Sequence, residues 1–351
     1  MENPILVEAL RGTSVESFHR GAVAVVDDHG RVRWSCGDIH RPIFPRSAVK
    51  LLQALPLVAD GAAERLGLSE SELSLACASH GGEPDHVHTA ASMLAKAGLD
   101  HSVLECGAHW PYHEASQREM ARQGLEPTAL NNNCSGKHSG FACLGCALSG
   151  HTGPALRDYL RGYVEPEHPV MRRVTQAISE ATDFPLAQAP MGVDGCSIPT
   201  YAVPLFNLAL GFARAGTGQG LSAPLAAAAA RLRKAIAAAP FMVAGTGRFD
   251  TRVMQILGER VCCKIGAEGV YCASLPERGL GVALKMDDGN TSRAAEVALA
   301  ALLEALLPLR ASESELMRSL SETTLHNWQG RRVGALRAAP VWRSTLTGLQ
   351  G

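Results

Sequence analysis

The sequence predicts an α/β (α+β) fold, a mainly antiparallel sheet built from both chain ends around a helical middle. Three observations carry this. Extended runs gather in about residues 1–45 and again in about 255–340. Residues from about 46 to 254 read almost wholly in helical period. With 46% apolar residues in 351 positions there is enough for one sizeable core. Strands from both termini then close one sheet, and a chain of this length could hold one large domain or two.

In order along the chain, Leu6-Val7-Glu8-Ala9-Leu10 and the stretch from Ser14 to Phe18 are extended. The run from Gly21 to Val26 joins Arg31-Val-Arg-Trp34 through Asp27-Asp28-His29-Gly30, a hairpin by pattern and turn chemistry. After Pro45, helical spacing holds at about 47–60, 86–97, 114–123, 139–148, 168–181, 201–214 and 223–238, with Gly, Pro and Asn between. Strands return from Val261 to Lys264, from Val270 to Ser274 and from Gly281 to Lys285. A helix from about Thr291 to Leu309 and an extended stretch near Val333 to Leu336 complete the pattern.

Charge and composition exclude several classes. A formal net charge of -1 without a basic run argues against a nucleic-acid surface. The apolar stretches are broken by charge or proline well before membrane-spanning length. Met-Glu-Asn-Pro has neither the basic region nor the apolar core of a secretory signal. Ten cysteines in such a chain read as reduced thiols, some of them candidate metal ligands, and place the protein in the cytoplasm.

Chemistry concentrates first at Pro45-Arg46-Ser47-Ala48-Val49-Lys50. A helix opening after Pro45 puts the Ser47 hydroxyl and the Lys50 amine on one face, a nucleophile beside a potential base. Ser-x-x-Lys alone also fits an ordinary helix start. The lysine census adds weight: of 33 basic residues only six are lysine. Arginine cannot surrender its proton in a protein, whereas lysine can, so lysines retained in an Arg-rich chain are candidates for neutral amines. Lys50, Lys137 and Lys264 lie in unusual contexts; Lys96 and Lys234 sit in alanine-rich helical patterns and read as solvated.

Four further stretches carry polar groups in need of explanation. Asn131-Asn-Asn-Cys134-Ser-Gly-Lys137-His138-Ser-Gly140 leads into a helix, so its backbone and side chains can face a ligand. Met191-Gly-Val-Asp194-Gly-Cys196-Ser197-Ile-Pro199 places an acid and a thiol on a tight turn. Cys196 with Cys134 and Lys137 would complete a three-ligand zinc site, unusual in requiring a deprotonated lysine. Cys143-x-x-Cys146 has metal spacing but falls in an apolar helix pattern, where buried thiols act as small apolar residues. Ala76-Cys-Ala-Ser79-His-Gly-Gly82 ends an apolar run at a serine suited to facing a cleft, and His86-x-His88 reads as two surface residues. Ala244-Gly-Thr-Gly-Arg248-Phe-Asp250 lacks nucleotide-loop spacing and reads as a packed turn, or as a source of an Arg248 contact.

Taken together, Ser79-His-Gly-Gly-Glu83, Cys106-Gly-Ala-His-Trp-Pro111, Asn132-Asn-Cys-Ser-Gly-Lys-His138, Gly192-Val-Asp-Gly-Cys196, Ala244 to Asp250 and Gly266-Ala-Glu-Gly-Val-Tyr271 resemble the asparaginase II family of rhizobial-type L-asparaginases. The resemblance runs in order from about residue 5 to 340. It implies a single catalytic domain over 1–351 with a serine β-lactamase/glutaminase-like fold, a homodimer, and hydrolysis of L-asparagine to L-aspartate and ammonia. It further implies Ser47 as nucleophile with Lys50 as proton acceptor, Ser79 and Lys264 as a second Ser-Lys pair, and Cys134, Lys137 and Cys196 as zinc ligands, with Asp194 and His138 beside them. Ser139, Phe141 and the Cys262-Cys263 pair depart from the family pattern.

The chemistry required is an activated nucleophile, donors for the oxyanion and an acid for departing ammonia. Arg46 and Asp194 are the candidates for holding the substrate's α-carboxylate and α-amine, with His138 as a third substrate-binding group. Two rival classes stand beside this reading: another Ser-Lys hydrolase acting on glutamine, esters or β-lactams, and a non-catalytic zinc-dependent binding protein.

Overall fold

The computed structural model describes residues 2–349. Eight strands form one antiparallel sheet: β1 Ile5–Arg11, β2 Ser14–Asp27, β3 Val32–Cys36, β8 Cys262–Ile265, β9 Val270–Leu275, β10 Leu280–Met286, β11 Glu322–His326 and β12 Arg332–Ala338. Their order across the sheet is β11-β12-β1-β2-β10-β9-β8, with β3 also against β2. The short strands β4 Pro42–Ile43 and β7 Val203–Pro204 pair with each other, as do β5 Met191–Val193 and β6 Pro199–Tyr201. Both chain ends therefore contribute to the main sheet, as the clustering of extended runs predicts, and the α/β class is correct.

The two N-terminal runs beginning at Ser14 and Gly21 are one strand of 14 residues. Its first half pairs with β1, and its second half with β10 and β3. Gly21 sits at the changeover, where an added Cβ would lie 2.6 Å from the Lys285 carbonyl oxygen, so the strand can turn from one partner to the other only without a side chain there. Val23 to Val26 are buried on both faces, which is why this half reads as a continuous apolar run rather than an alternating one.

Helix Leu205–Thr217 packs across β10, β2 and β9, and Gly281 lets it approach, since a Cβ there would come within 1.9 Å of the Ala209 carbonyl oxygen. Helix Glu296–Leu306 packs against β1 and β12. In the helical middle, helix Lys50–Ala59 contacts helices Ala223–Ala238, Pro169–Thr182 and Ser135–Ser149. The Ser135–Ser149 helix is buried from Ser135 to Cys146, polar first turn included. Gly136 allows it to cross Leu75, whose carbonyl oxygen would be 2.4 Å from an added Cβ.

The apolar run before Ser79 is a helix, Glu70–Ala76, started by a Ser69–Glu72 capping box, and Ser79 follows it in a loop. Several expectations require correction. The long C-terminal helix opens with a π-turn over Thr291–Ala295 and ends at Leu306. A second helix, Ala311–Ser321, then leads into β11, whose residues are mostly exposed and so give no apolar signal. His86 is not a surface residue. It is fully buried, with its ring stacked between His80 and Phe241, and only His88 is exposed. Lys96 is exposed as expected, and its amine also pairs with the buried Glu72 carboxylate at 2.5 Å and bonds the Gly67 carbonyl oxygen.

Candidate active site

Ser79 lies in the loop after helix Glu70–Ala76, held by its own N–H, which donates to the Val243 carbonyl oxygen at 2.8 Å. Two lysine amines converge on its hydroxyl. Lys50, the first residue of helix Lys50–Ala59, brings Nζ to 2.9 Å from Ser79 Oγ, and Lys264 on β8 brings its Nζ to 3.0 Å. Ser79, Lys50 and Lys264 are all buried.

The amines differ in their surroundings. Lys50 Nζ also meets the Ala78 carbonyl oxygen at 2.6 Å and Cys134 Sγ at 3.1 Å, three partners for the three protons of an ammonium. Lys264 Nζ has one further partner, the Ile265 carbonyl oxygen at 2.9 Å. Burial lowers the Lys264 pKa to about 7, against the opposing charge of Asp250 and helped by the positive charges of Lys50 and Arg248. A substantial neutral fraction near pH 7 follows, and neutral Lys264 has a lone pair for the Ser79 proton.

Ser47 lies one turn before Lys50 in the chain. A 3-10 turn over Arg46–Val49 precedes the α-helix, and its three-residue period brings positions 47 and 50 to the same side. The Lys50 N–H closes the turn on the Ser47 carbonyl oxygen. Arg46 has φ of 52°, the left-handed region that a β-carbon disfavours, so the backbone is strained directly before Ser47. Ser47 is half-buried, whereas Ser79 is enclosed. Among the described residues the Lys50 amine bonds Ser79, and no side-chain hydrogen bond joins it to Ser47.

Cys134, Lys137 and Cys196 come together although they lie far apart in sequence. Cys134 caps the buried Ser135–Ser149 helix, Lys137 sits in its first turn, and Cys196 lies on the turn between β5 and β6. Lys137 Nζ is 3.0 Å from Cys196 Sγ, and the two thiols are hydrogen-bonded to each other. That bond, with the charges of Lys50 and Lys137, holds the Cys134 thiol well below its ordinary pKa despite burial, while the Cys196 thiol is pushed up. Burial works to lower Lys137, but the thiol charges outweigh it and leave the amine above its ordinary value.

Among the described residues no three His, Cys, Asp or Glu side chains gather as a metal site. The set here is two thiols and an amine. These donors fit a thiophilic divalent ion such as zinc, provided Cys196 and Lys137 each release a proton to it. Cys143 and Cys146 are fully buried within the helix, and burial pushes the Cys143 thiol up, as expected of a sulfur that serves packing.

Arg46 and Asp194 face each other. Arg46 donates from Nε at 2.9 Å and Nη2 at 2.7 Å to Asp194 Oδ1. Burial works to raise the Asp194 pKa, but the bond from Arg46 and the charge of Lys137 overcome it and hold the carboxyl low. Arg46 lines a cleft of about 370 Å³ with Arg41, Phe44, Val193, Glu268 and Lys285, next in the chain to Ser47. His138 is fully buried; its Nδ1 meets the Tyr163 hydroxyl at 2.6 Å, and its Nε2 has no partner.

Two groups beside the site escaped sequence reasoning. His80 bonds Ser135 Oγ at 2.9 Å from Nε2. Asp250 accepts from the Tyr271 hydroxyl and from the Ile265 N–H, next to Lys264. The glycine-rich loop before Asp250 is tied down by Glu83, which takes the Thr246 N–H at 2.8 Å and the Thr246 hydroxyl at 2.6 Å. Asp250, Tyr271 and Glu83 were all within the quoted motifs. An acid three residues past a Gly-x-Gly turn was the available signal, but nothing in its spacing linked it to a lysine 14 residues on.

Two lysine amines thus meet on one buried serine hydroxyl, with the Arg46–Asp194 pair next in the chain to Ser47. The sequence profile of the L-asparaginase II family matches residues 7–338, and the chain belongs to that family of amide hydrolases. No curated protein sequence matches the chain. Among solved structures, Mglu in its native form is similar at 14% identity and a TM-score of 0.42, over 84% of this chain and 66% of that one. The chain thus spans just under two thirds of Mglu. A β-lactamase from Mycobacterium bovis is similar at 13% identity and a TM-score of 0.35, over 85% of this chain and 94% of that one. Among the described residues no helix is long and apolar enough to cross a membrane.

Proposed function

We propose that the protein is an L-asparagine amidohydrolase that works through a serine ester, with Ser47 as nucleophile and Lys50, Ser79 and Lys264 as its proton circuit. The observation that carries this reading is the meeting of the Lys50 and Lys264 amines on the single hydroxyl of Ser79. Neutral Lys264 takes the Ser79 proton while Lys50 gives one to the same oxygen, which leaves Lys50 neutral beside Ser47. Ser47 Oγ then attacks the side-chain amide carbon of asparagine and its proton passes to Lys50. Collapse of the tetrahedral intermediate breaks the C–N bond, a proton returned through the circuit leaves with the nitrogen as ammonia, and water cleaves the aspartyl ester to restore Ser47. Arg46 and Asp194 neutralise each other in the free protein, and a free amino acid offers each a new partner, its α-carboxylate for Arg46 and its α-amine for Asp194.

A second reading has Ser79 itself as the nucleophile. It is favoured by the bonding of Lys50 to Ser79. Against it stands the enclosure of Ser79, which is 8% exposed.

The reading is tested by ammonia release from L-asparagine, L-glutamine and a small β-lactam. Asparagine is expected to be turned over well ahead of glutamine, because one added methylene displaces the reacting carbon from a fixed nucleophile. Equal or faster turnover of glutamine would reject the substrate, and acylation by the β-lactam without ammonia from asparagine would favour the rival hydrolase.

The same reading includes one zinc ion per chain held by Cys134, Lys137 and Cys196, and a homodimer in the cytoplasm. When bound, the ion would supply positive charge that fixes the Asp194 turn against the first turn of the Ser135–Ser149 helix. Metal content is expected to be lost in Cys196→Ser and kept in Cys143→Ser, whose thiol lies in the helix core. Full zinc in the first variant would show that these are not the ligands.

A further inference from the structure

The proposed circuit uses Lys264 but leaves unexplained why a carboxylate is buried behind it. Asp250 lies in the first turn of helix Phe249–Leu257 and is 1% exposed. Its Oδ2 accepts the Ile265 N–H at 3.2 Å, and its Oδ1 accepts from the Tyr271 hydroxyl on the neighbouring strand β9. The same residue, Ile265, offers its carbonyl oxygen to Lys264 Nζ at 2.9 Å. A chain of contacts therefore runs from Tyr271 through Asp250 and the Ile265 backbone to the Lys264 amine, and from there to Ser79. Tyr271 is fully buried and Lys264 is 2% exposed, so water does not screen these charges.

We infer that the Asp250–Tyr271 pair is a positioning device for Lys264, setting both where its amine lies and how tightly it holds a proton. This rests on the reading of Lys264 as part of the proton circuit. Burial by itself favours the neutral amine and works against its returning a proton to the leaving nitrogen. The negative charge of Asp250 opposes burial, and the Tyr271 hydroxyl tempers that charge by donating to it. Burial pushes the tyrosine well above its ordinary pKa, so it remains a donor. With the charge of Asp250 set against burial the Lys264 pKa stands at about 7, where the amine can both accept and return a proton.

Other charged and titratable groups face this pair from the surrounding elements. Lys50 on its helix, Arg248 in the glycine loop and Cys134 at its helix cap act on Lys264. Cys263 on β8 lies 3.9 Å from Asp250 Oδ1, and burial raises its thiol well above its ordinary value. Glu296, at the start of helix Glu296–Leu306, is raised to about 7 by burial and by the charge of Asp250, with Arg248 and Arg252 opposing. Glu296 is the one carboxyl able to mimic the expected titration, and it needs its own control.

The signs are opposite for the two members of the pair. Asp250→Asn removes the negative charge and drops the Lys264 pKa by about one unit, whereas Tyr271→Phe leaves the carboxylate untempered and raises it. The experiment is an NMR titration of the lysine side-chain nitrogens in substrate-free protein, the Lys264 signal being assigned by its loss in Lys264→Arg. The acid limb of kcat/KM for L-asparagine, measured on the same proteins, should move the same way, down in Asp250→Asn and up in Tyr271→Phe. Glu296→Gln should leave the limb in place. A Lys264 titration that does not move in either variant, or a limb that vanishes in Glu296→Gln, would overturn the inference. Should Asp250→Asn not fold, Tyr271→Phe alone decides it. Wild type without amide turnover but with these NMR shifts would reject the proposed function and uphold the pairing.

Discussion

Ser47→Ala is expected to lower kcat for L-asparagine by at least about a thousandfold, the scale on which loss of a catalytic nucleophile is felt. The substitution removes one half-buried hydroxyl with no side-chain hydrogen bond among the described residues, so the fold should be unaffected. Because Arg46 and Asp194 stay in place, KM should change far less than kcat. That split distinguishes a lost nucleophile from a damaged cleft. Ser79→Ala should also be severe, since it cuts the circuit between the two amines. Steady-state kinetics with L-asparagine checks both, and a Ser47→Ala enzyme within tenfold of wild type would move the nucleophile elsewhere.

The second large effect is on the lysines. Lys264→Arg and Lys50→Arg should each lose at least about a hundredfold in kcat/KM, because a guanidinium is permanently charged and cannot take a proton. The position 264 change should be the harsher one. Lys264 is the amine whose pKa burial has brought down to about 7, so its neutral form is the one the circuit draws on. As that form is needed to accept a proton, wild-type activity should fall as pH drops through about 7. Lys234→Arg, on the exposed face of helix Ala223–Ala238, should be silent. Near-normal turnover by either active-site arginine variant would remove the neutral-amine argument at that position.

How much of this was legible in the sequence depended on whether a signal was local. The split of strands to both ends and helices to the middle could be read from period alone. The strand β11 could not, because its residues face solvent and carry no apolar alternation. Ser47 and Lys50 were legible because three residues of one turn relate them. The contact of Lys50 with Ser79 was not, since it depends on how helix Glu70–Ala76 delivers the following loop against helix Lys50–Ala59. The lysine census pointed to Lys50, Lys137 and Lys264, and all three amines are buried. Lys96 is exposed as its alanine-rich pattern predicts, but its ion pair with Glu72, 24 positions away, has no local signal. Arg46 and Asp194 were each proposed to hold a substrate group, but a pattern of residues does not show that the two hold each other first. His86 was misread because spacing gives the angle between two side chains on a helix and not which of them faces the core.

The central claim, a serine ester formed on Ser47, is tested most directly by acid-quenching the protein during turnover of L-asparagine and mapping the acylated peptide by mass spectrometry. The account predicts an aspartyl ester on Ser47 that is absent from Ser47→Ala. An ester on Ser79, or full turnover with no acylated serine, would contradict it.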